Sequence, residues 1–198
     1  MQDNSQTLSM LTEFARQKHV KRWNGRKTLN DFNLLDHAAR VANITRILCK
    51  LSEEAGLFLL PELKLHALEY ALYHDFGEVY LNDTPSTVKA KHPELDCLIK
   101  SIEHELLAPL QLSVTAYSQA IVKYADIIDC LHEALLEKRL GSRDAEYDVV
   151  IANAMDKIHG VISKYGLNKS GNDMLVLVFQ HKARECAKYL FDELSVDN

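Results

Sequence analysis

The chain has 198 residues, 47% of them hydrophobic and 26% charged, with a formal net charge of −5. That balance supports one sizeable core and excludes global disorder. Seven glycines and four prolines are too few for a turn-rich all-β architecture, and no apolar run approaches the roughly 20 residues that span a bilayer.

The start, Met1-Gln2-Asp3-Asn4-Ser5, lacks the basic-then-apolar order of a signal peptide, which predicts a cytoplasmic protein. Leu8, Leu11 and Phe14 predict an amphipathic helix from about Ser5 to Lys18. An irregular stretch follows, Lys21 to Asn33, holding Gly25 and the single tryptophan, Trp23. Leu34, Ala38, Val41, Ala42, Leu48 and Cys49 recur at three- and four-residue steps and predict a helix that Gly56 closes. Pro61 suits the first turn of the next helix, whose stripe is Leu63, Ala67, Tyr70, Ala71 and His74 and which ends near Gly77. Asn82 to Ser86 reads as a turn with a helix start. Pro93 then opens a helix carrying Leu95, Leu98, Ile99, Ile102 and Leu106, which Pro109 terminates. A long helix from about Thr115 to Leu140 has Gly141 just past its end. Two more follow, Asp144 to Tyr165 and Asn172 to Leu194, separated by Gly166 and Gly171. The run Leu175 to Phe179 could pass alone for a strand, but its helical flanks assign it to a helix. With no repeat, low-complexity tract or linker, the chain reads as one all-α domain, 1–198, of about seven helices.

No basic block exceeds Lys21-Arg22 or Lys138-Arg139, so a partner that runs along a nucleic-acid backbone is not expected; a small basic pocket stays open. Cys49, Cys97, Cys130 and Cys186 are widely spaced among apolar neighbours and read as buried free thiols. Three features depart from what packing alone would choose. His74-Asp75 closes an apolar helix and is followed by Glu78; His37 shares a face with Ala38 and Val41; Asp126 sits inside Ile121 to Ile128 between apolar residues. A carboxylate near a core needs a partner, because desolvating it alone costs several kcal/mol. A divalent ion is one such partner, and imidazoles mixed with carboxylates suit Mn, Co, Fe, Ni or Zn. Each feature also has a plain structural reading. Asp126 with Asp129 and Glu133 could form a solvated stripe, Trp23 could be a core aromatic, and Lys89 a solvated charge. His66, in line with Tyr70 and His74 at four-residue steps, reads as structural.

Arg22-Trp23, His37, His74-Asp75-x-x-Glu78-Val79, Asp83-x-Pro85-x-x-x-Lys89 and Lys123-Tyr124-Ala125-Asp126 together resemble the HD-domain phosphohydrolases. The likeness is to the branch of bacterial 5′-deoxynucleotidases and their phage-borne triphosphohydrolase relatives, and it covers about Arg22 to Cys130. It implies a compact helical bundle with a divalent metal ion (Mn, Co, Zn, Fe, Ni or Mg) held by His37, His74, Asp75 and Asp126. Consecutive helical residues point roughly 100° apart, so His74 and Asp75 can share an ion only where the helix ends or distorts, which Gly77 allows. The resemblance further implies that Glu78 manages the proton of the attacking water or leaving group and that Arg22 contacts phosphate. Trp23 would pack on the sugar where bulk excludes a 2′-hydroxyl, Asp83 would hold a sugar hydroxyl, and Lys89 would support the anionic end. There are departures. Asn33-Leu34-Leu35-Asp36 lacks the Ser/Thr-Glu character expected before the first histidine, and Asn82 stands where the branch has glycine.

The activity implied is metal-dependent hydrolysis at the 5′ α-phosphate of a small-molecule deoxyribonucleotide. A monophosphate would give deoxynucleoside and phosphate. A triphosphate such as dATP would release triphosphate, with a second Mg or Mn ion expected on its distal phosphates. The alternatives are an HD hydrolase of an alarmone or cyclic nucleotide, and a non-catalytic helical binding module. A homodimer is expected by family analogy alone.

Overall fold

Residues 5–164 and 174–195 are described in this computed structural model. In chain order the helices are α1 (Ser5–Arg16), α2 (Leu34–Glu54), α3 (Pro61–Tyr73), α4 (Glu78–Leu81), α5 (Ser86–Lys91), α6 (Pro93–Leu107), α7 (Ala116–Arg139), α8 (Glu146–Lys164) and α9 (Met174–Leu194). Short 3-10 turns occupy Gln17–His19 and Ala108–Leu110. Apart from a single bridge between Lys21 and Asn33, β-structure is absent among the described residues. The all-α expectation holds, and α1, α2, α3, α6, α7, α8 and α9 account for the seven helices. No described helix is long and apolar enough to cross a membrane. The expected break at Gly166 and Gly171, and the start at Asn172, lie outside the described residues.

Local chemistry fixes the helix ends. Pro61 and Pro93 each occupy a first helical position, where the missing N–H costs nothing and φ is preset. At α7, Ser118 N donates to Thr115 Oγ1 at 3.0 Å and Thr115 N to Ser118 Oγ at 2.8 Å, a reciprocal cap. The other end closes with Gly141 at φ +97°, its N–H reaching Lys138 O at 2.9 Å while Ser142 N reaches Glu137 O at 2.9 Å. That pair of bonds satisfies two carbonyls the helix leaves open, and it needs the left-handed residue that glycine supplies.

The chain divides into two compact units. One comprises the stretch up to Ala39 together with Tyr73–Ser113. Its small core gathers Met10, Phe76 and Leu107 with Phe14, Tyr73 and Val79 around them. Within it α4 and α5 pack on α6. The predicted stripe of α1 is corrected here. Leu8 and Leu11 are 62% and 69% exposed, whereas Met10 is buried and Phe14 packs inward. Met10 and Phe14 are four residues apart and so share a face, from which Leu8 and Leu11 are rotated away.

The other unit comprises Arg40–Leu72 and the chain from Val114 onward. Its axis is α7, which packs against α8 and α9. Ala120, Ile121, Val122, Tyr124, Ala125, Ile127, Ile128 and Leu131 are all buried, so α7 is covered on nearly every side rather than along one stripe. The run from Leu175 to Phe179 is helical, with Phe179 fully buried. All four cysteines are free, as expected. Only Cys49 is buried, however, and its thiol is pushed up to about 11, first by that burial. Cys97 is exposed because it lies two residues, some 200°, from Ile99 on the buried face of α6.

Candidate active site

His37 owes its position to a cap. Asp36 N donates to Asn33 Oδ1 at 3.0 Å, and Asn33 Nδ2 donates to Asp36 Oδ2 at 2.7 Å. Asn33 therefore caps α2 in place of the expected serine or threonine, while Asp36 holds the side chain of the cap rather than its backbone N–H. The first helical bond, His37 N to Asn33 O at 3.1 Å, sets the imidazole one turn into α2, where it is fully buried.

His74 and Asp75 follow the end of α3 at Tyr73, in a four-residue turn before α4. Successive short-range bonds run Phe76 N to Tyr73 O (2.9 Å), Glu78 N to Asp75 O (3.0 Å) and Val79 N to Phe76 O (3.2 Å). The regular helix therefore ends at Tyr73, and His74 and Asp75 stand in the turn beyond it, where the expectation placed a break. Gly77 contributes differently from the expectation. Its φ of −59° is ordinary right-handed helix, and the reason for glycine is space. A Cβ there would meet Ile99 O at 2.5 Å, so the turn lies directly against the backbone of α6.

The result is a convergence of donors. His37 Nε2 lies 3.6 Å and His74 Nε2 3.5 Å from Asp75 Oδ2, and the two rings are 5.2 Å apart. Ligand atoms of the three residues all fall within 4.8 Å of one another. Both nitrogen–oxygen separations exceed hydrogen-bond length. They match the spacing of about 3.4 Å between two donors placed tetrahedrally about 2.1 Å from one ion. The donor set fits a divalent metal ion.

Glu78 opens α4 and is 1% exposed. Its Oε1 accepts from Lys89 Nζ at 2.6 Å and from Thr84 N at 3.3 Å. Its Oε2 is buried and has no hydrogen-bond partner among the described residues. Burial, then the charge of Asp75, push this carboxyl up to about 7 against the opposing pull of Lys89. Lys89, expected at the anionic end of the site, is thus seen beside Glu78.

Arg22 and Trp23 are half-buried in a loop pinned by Arg22 N to Phe32 O (3.0 Å) and Leu34 N to Val20 O (2.9 Å). Trp23 is no core aromatic. It holds φ +62°, and the Arg26 guanidinium sits 5.3 Å from its ring centroid. The next residue reaches Asp83, with Asn24 N 3.3 Å from Asp83 Oδ2 and Asn24 Nδ2 3.5 Å from Asp83 O. The sugar-side candidates are thereby tied together. Asn82 has φ +62° and ψ 167°, a region essentially reserved for glycine, which is the residue the branch places there.

Asp126 lies in the other unit, on α7, half-buried and ion-paired with Lys123. The solvated-stripe reading of its neighbours fails. Asp129 and Glu133 are fully buried and share Arg40, whose Nε is 2.6 Å from Asp129 Oδ1 and whose Nη2 also bonds Glu133. Sequence reasoning missed this cluster, and it missed Glu103 on α6. Glu103 is pushed up to about 8 by burial and then by Asp75. A signal was present, since Glu103 falls four residues after Ile99 and three before Leu106, a carboxylate within an apolar stripe like Asp126.

The sequence profile of the YfbR-like 5′-deoxynucleotidases matches residues 9–167. The chain belongs to that family. It is a phosphohydrolase of deoxynucleotide phosphate esters; the alarmone, cyclic-nucleotide and binding-module alternatives are not favoured. Among relatives, the 5′-deoxynucleotidase VP0926 of Vibrio parahaemolyticus is 31% identical over 148 residues, covering 66% of this chain and 75% of that one. The 4′-phosphooxetanocin A phosphatase of Priestia megaterium is 27% identical over 186 residues, covering 86% and 93%. Two solved structures share the fold. The cyanophage S-2L HD phosphohydrolase DatZ, bound to dA and one catalytic Zn2+ ion, has a TM-score of 0.67 at 20% identity, covering 92% of this chain and 96% of its own. An HD-domain phosphohydrolase of Listeria innocua has a TM-score of 0.65 at 17% identity, covering 95% and 97%.

Proposed function

We propose that this family member hydrolyses the 5′-phosphate monoester of deoxyribonucleotides to deoxynucleoside and phosphate, with His37, His74, Asp75 and Asp126 as metal ligands. Asp126 enters on the order of the family motif, and the monoester on the activities named for the curated relatives. The observation that carries the reading is the division of labour within Glu78, one oxygen held by Lys89 and Thr84 and the other buried and unpartnered.

A bound divalent ion supplies a lowered water pKa and offsets charge on a phosphate oxygen. Glu78 manages the proton. Its Oε2 takes a proton from the water as the bond between the water oxygen and phosphorus forms, and delivers it to the 5′-oxygen as the bond between phosphorus and that 5′-oxygen breaks. Burial raises this carboxyl above the usual carboxylate range, which favours its holding a proton in transit. Lys89 steadies Glu78 and adds positive charge on the phosphate side. Arg22 offers the phosphate its planar fork of donors. Trp23 packs on the sugar and crowds the 2′ position, its positive φ being the kind of strain kept where geometry serves a site. Asp83 accepts a sugar hydroxyl. A cytoplasmic setting belongs to the same reading, and a homodimer joins it by family analogy.

Glu78→Gln tests it. We expect kcat on deoxynucleoside monophosphates to fall by about 10²–10⁴-fold with metal content unchanged; wild-type turnover by this variant would remove Glu78 from the chemistry. A panel of mono-, di- and triphosphates, with phosphate and triphosphate quantified separately, tests the substrate. Triphosphate as the main product would overturn the monoester assignment.

A further inference from the structure

The segment that bears His74, Asp75 and Glu78 cannot hold its own shape. Residues 74–77 are a turn, and α4 is four residues long, far below the length at which a helix is stable by itself. On one side α6 supports it through the close approach of Ile99 to Gly77. On another, α1 grips it at positions that bracket the motif. Phe14 stacks on Tyr73, with centroids 5.1 Å and planes 22° apart, and meets Phe76 at 5.2 Å. One ring therefore touches both the residue before His74 and the residue after Asp75. Two residues past Glu78, Tyr80 Oη donates to Glu13 Oε2 at 2.6 Å. Arg16 lies 5.7 Å from the centroid of the same Tyr80 ring and 3.4 Å from Glu13. All of these residues belong to one compact unit.

We propose that α1 is a positioning element for the reaction, Glu13, Phe14 and Arg16 fixing the orientation of His74, Asp75 and Glu78 through Tyr73, Phe76 and Tyr80. None of the three touches substrate or metal in this account, which rests on the roles proposed above for the motif residues. A shift of about 1 Å in a reacting group costs on the order of a hundredfold in rate, so a loosened clasp should appear in turnover before it appears in the fold.

The test uses the full chain carrying Phe14→Leu, Tyr80→Phe or Glu13→Gln. Each is read by kcat and KM on a deoxynucleoside monophosphate and by titration with Co2+ followed by visible absorption. Phe14→Leu should lower kcat about tenfold or more with KM within about twofold, and should weaken Co2+ binding. Tyr80→Phe, which deletes one oxygen from a half-exposed ring, should lower kcat in the same sense. Glu13→Gln keeps an acceptor for the phenol and should stay close to wild type. Folded Phe14→Leu and Tyr80→Phe variants with wild-type kcat and Co2+ spectra would overturn the proposal. If Phe14→Leu fails to fold, Tyr80→Phe decides. A wild-type chain that neither binds Co2+ nor turns over would instead defeat the proposed function.

Discussion

Asn82 carries a backbone conformation that an asparagine adopts at a cost of roughly 1–3 kcal/mol, at φ +62° and ψ 167° immediately before Asp83. Glycine relieves that strain but loses about 0.5–1 kcal/mol to its freer unfolded chain. Asn82→Gly should therefore stabilise the protein by about 1 kcal/mol, read as a higher urea midpoint at unchanged slope; an equal or lower midpoint would mean the conformation is unstrained here. Sequence showed Asn82 only as a departure from the branch, because a dihedral angle leaves no mark in composition or spacing. The same limit hid the reason for Gly77, which turns on how near Ile99 O comes rather than on any local signal. Asn33 and Asp36 were legible as residues but not as a cap, since Asn–Asp replaces the usual pair. His37, His74, Asp75 and Glu78 stood out as polar residues that packing alone would not choose, but only the resemblance to the family motif attached roles to them.

Among the elements, α7 was the most readable, with Thr115 and Gly141 standing where cap chemistry demands them. Its buried acids were not readable, because their partner Arg40 lies some 90 residues away in sequence. Asp129 and Glu133 have no exposure, so removing Arg40 leaves two buried carboxylates without their cation. Arg40→Ala should cost about 3–5 kcal/mol by urea denaturation, and Arg40→Lys should recover part of it. A loss under about 1 kcal/mol would show the cluster to be solvated. α1 was predicted as a helix with Phe14 rightly inward, but with Leu8 and Leu11 in place of Met10 beside it. Its apolar residues occur on more than one side, and only packing against Tyr73 and Phe76 selects Met10 and Phe14.

For the whole molecule, the motif order gave a resemblance over Arg22 to Cys130, and the profile of the YfbR-like 5′-deoxynucleotidases matches the longer stretch 9–167. The proposed chemistry depends on His37, His74 and Asp75 acting as one grip on a divalent ion. The most direct measurement is metal content of the purified chain beside Asp75→Ala, with circular dichroism on both. Wild type should carry about one ion per chain, and Asp75→Ala should lose it while remaining helical. A helical Asp75→Ala protein that retains its full complement of metal would contradict the account.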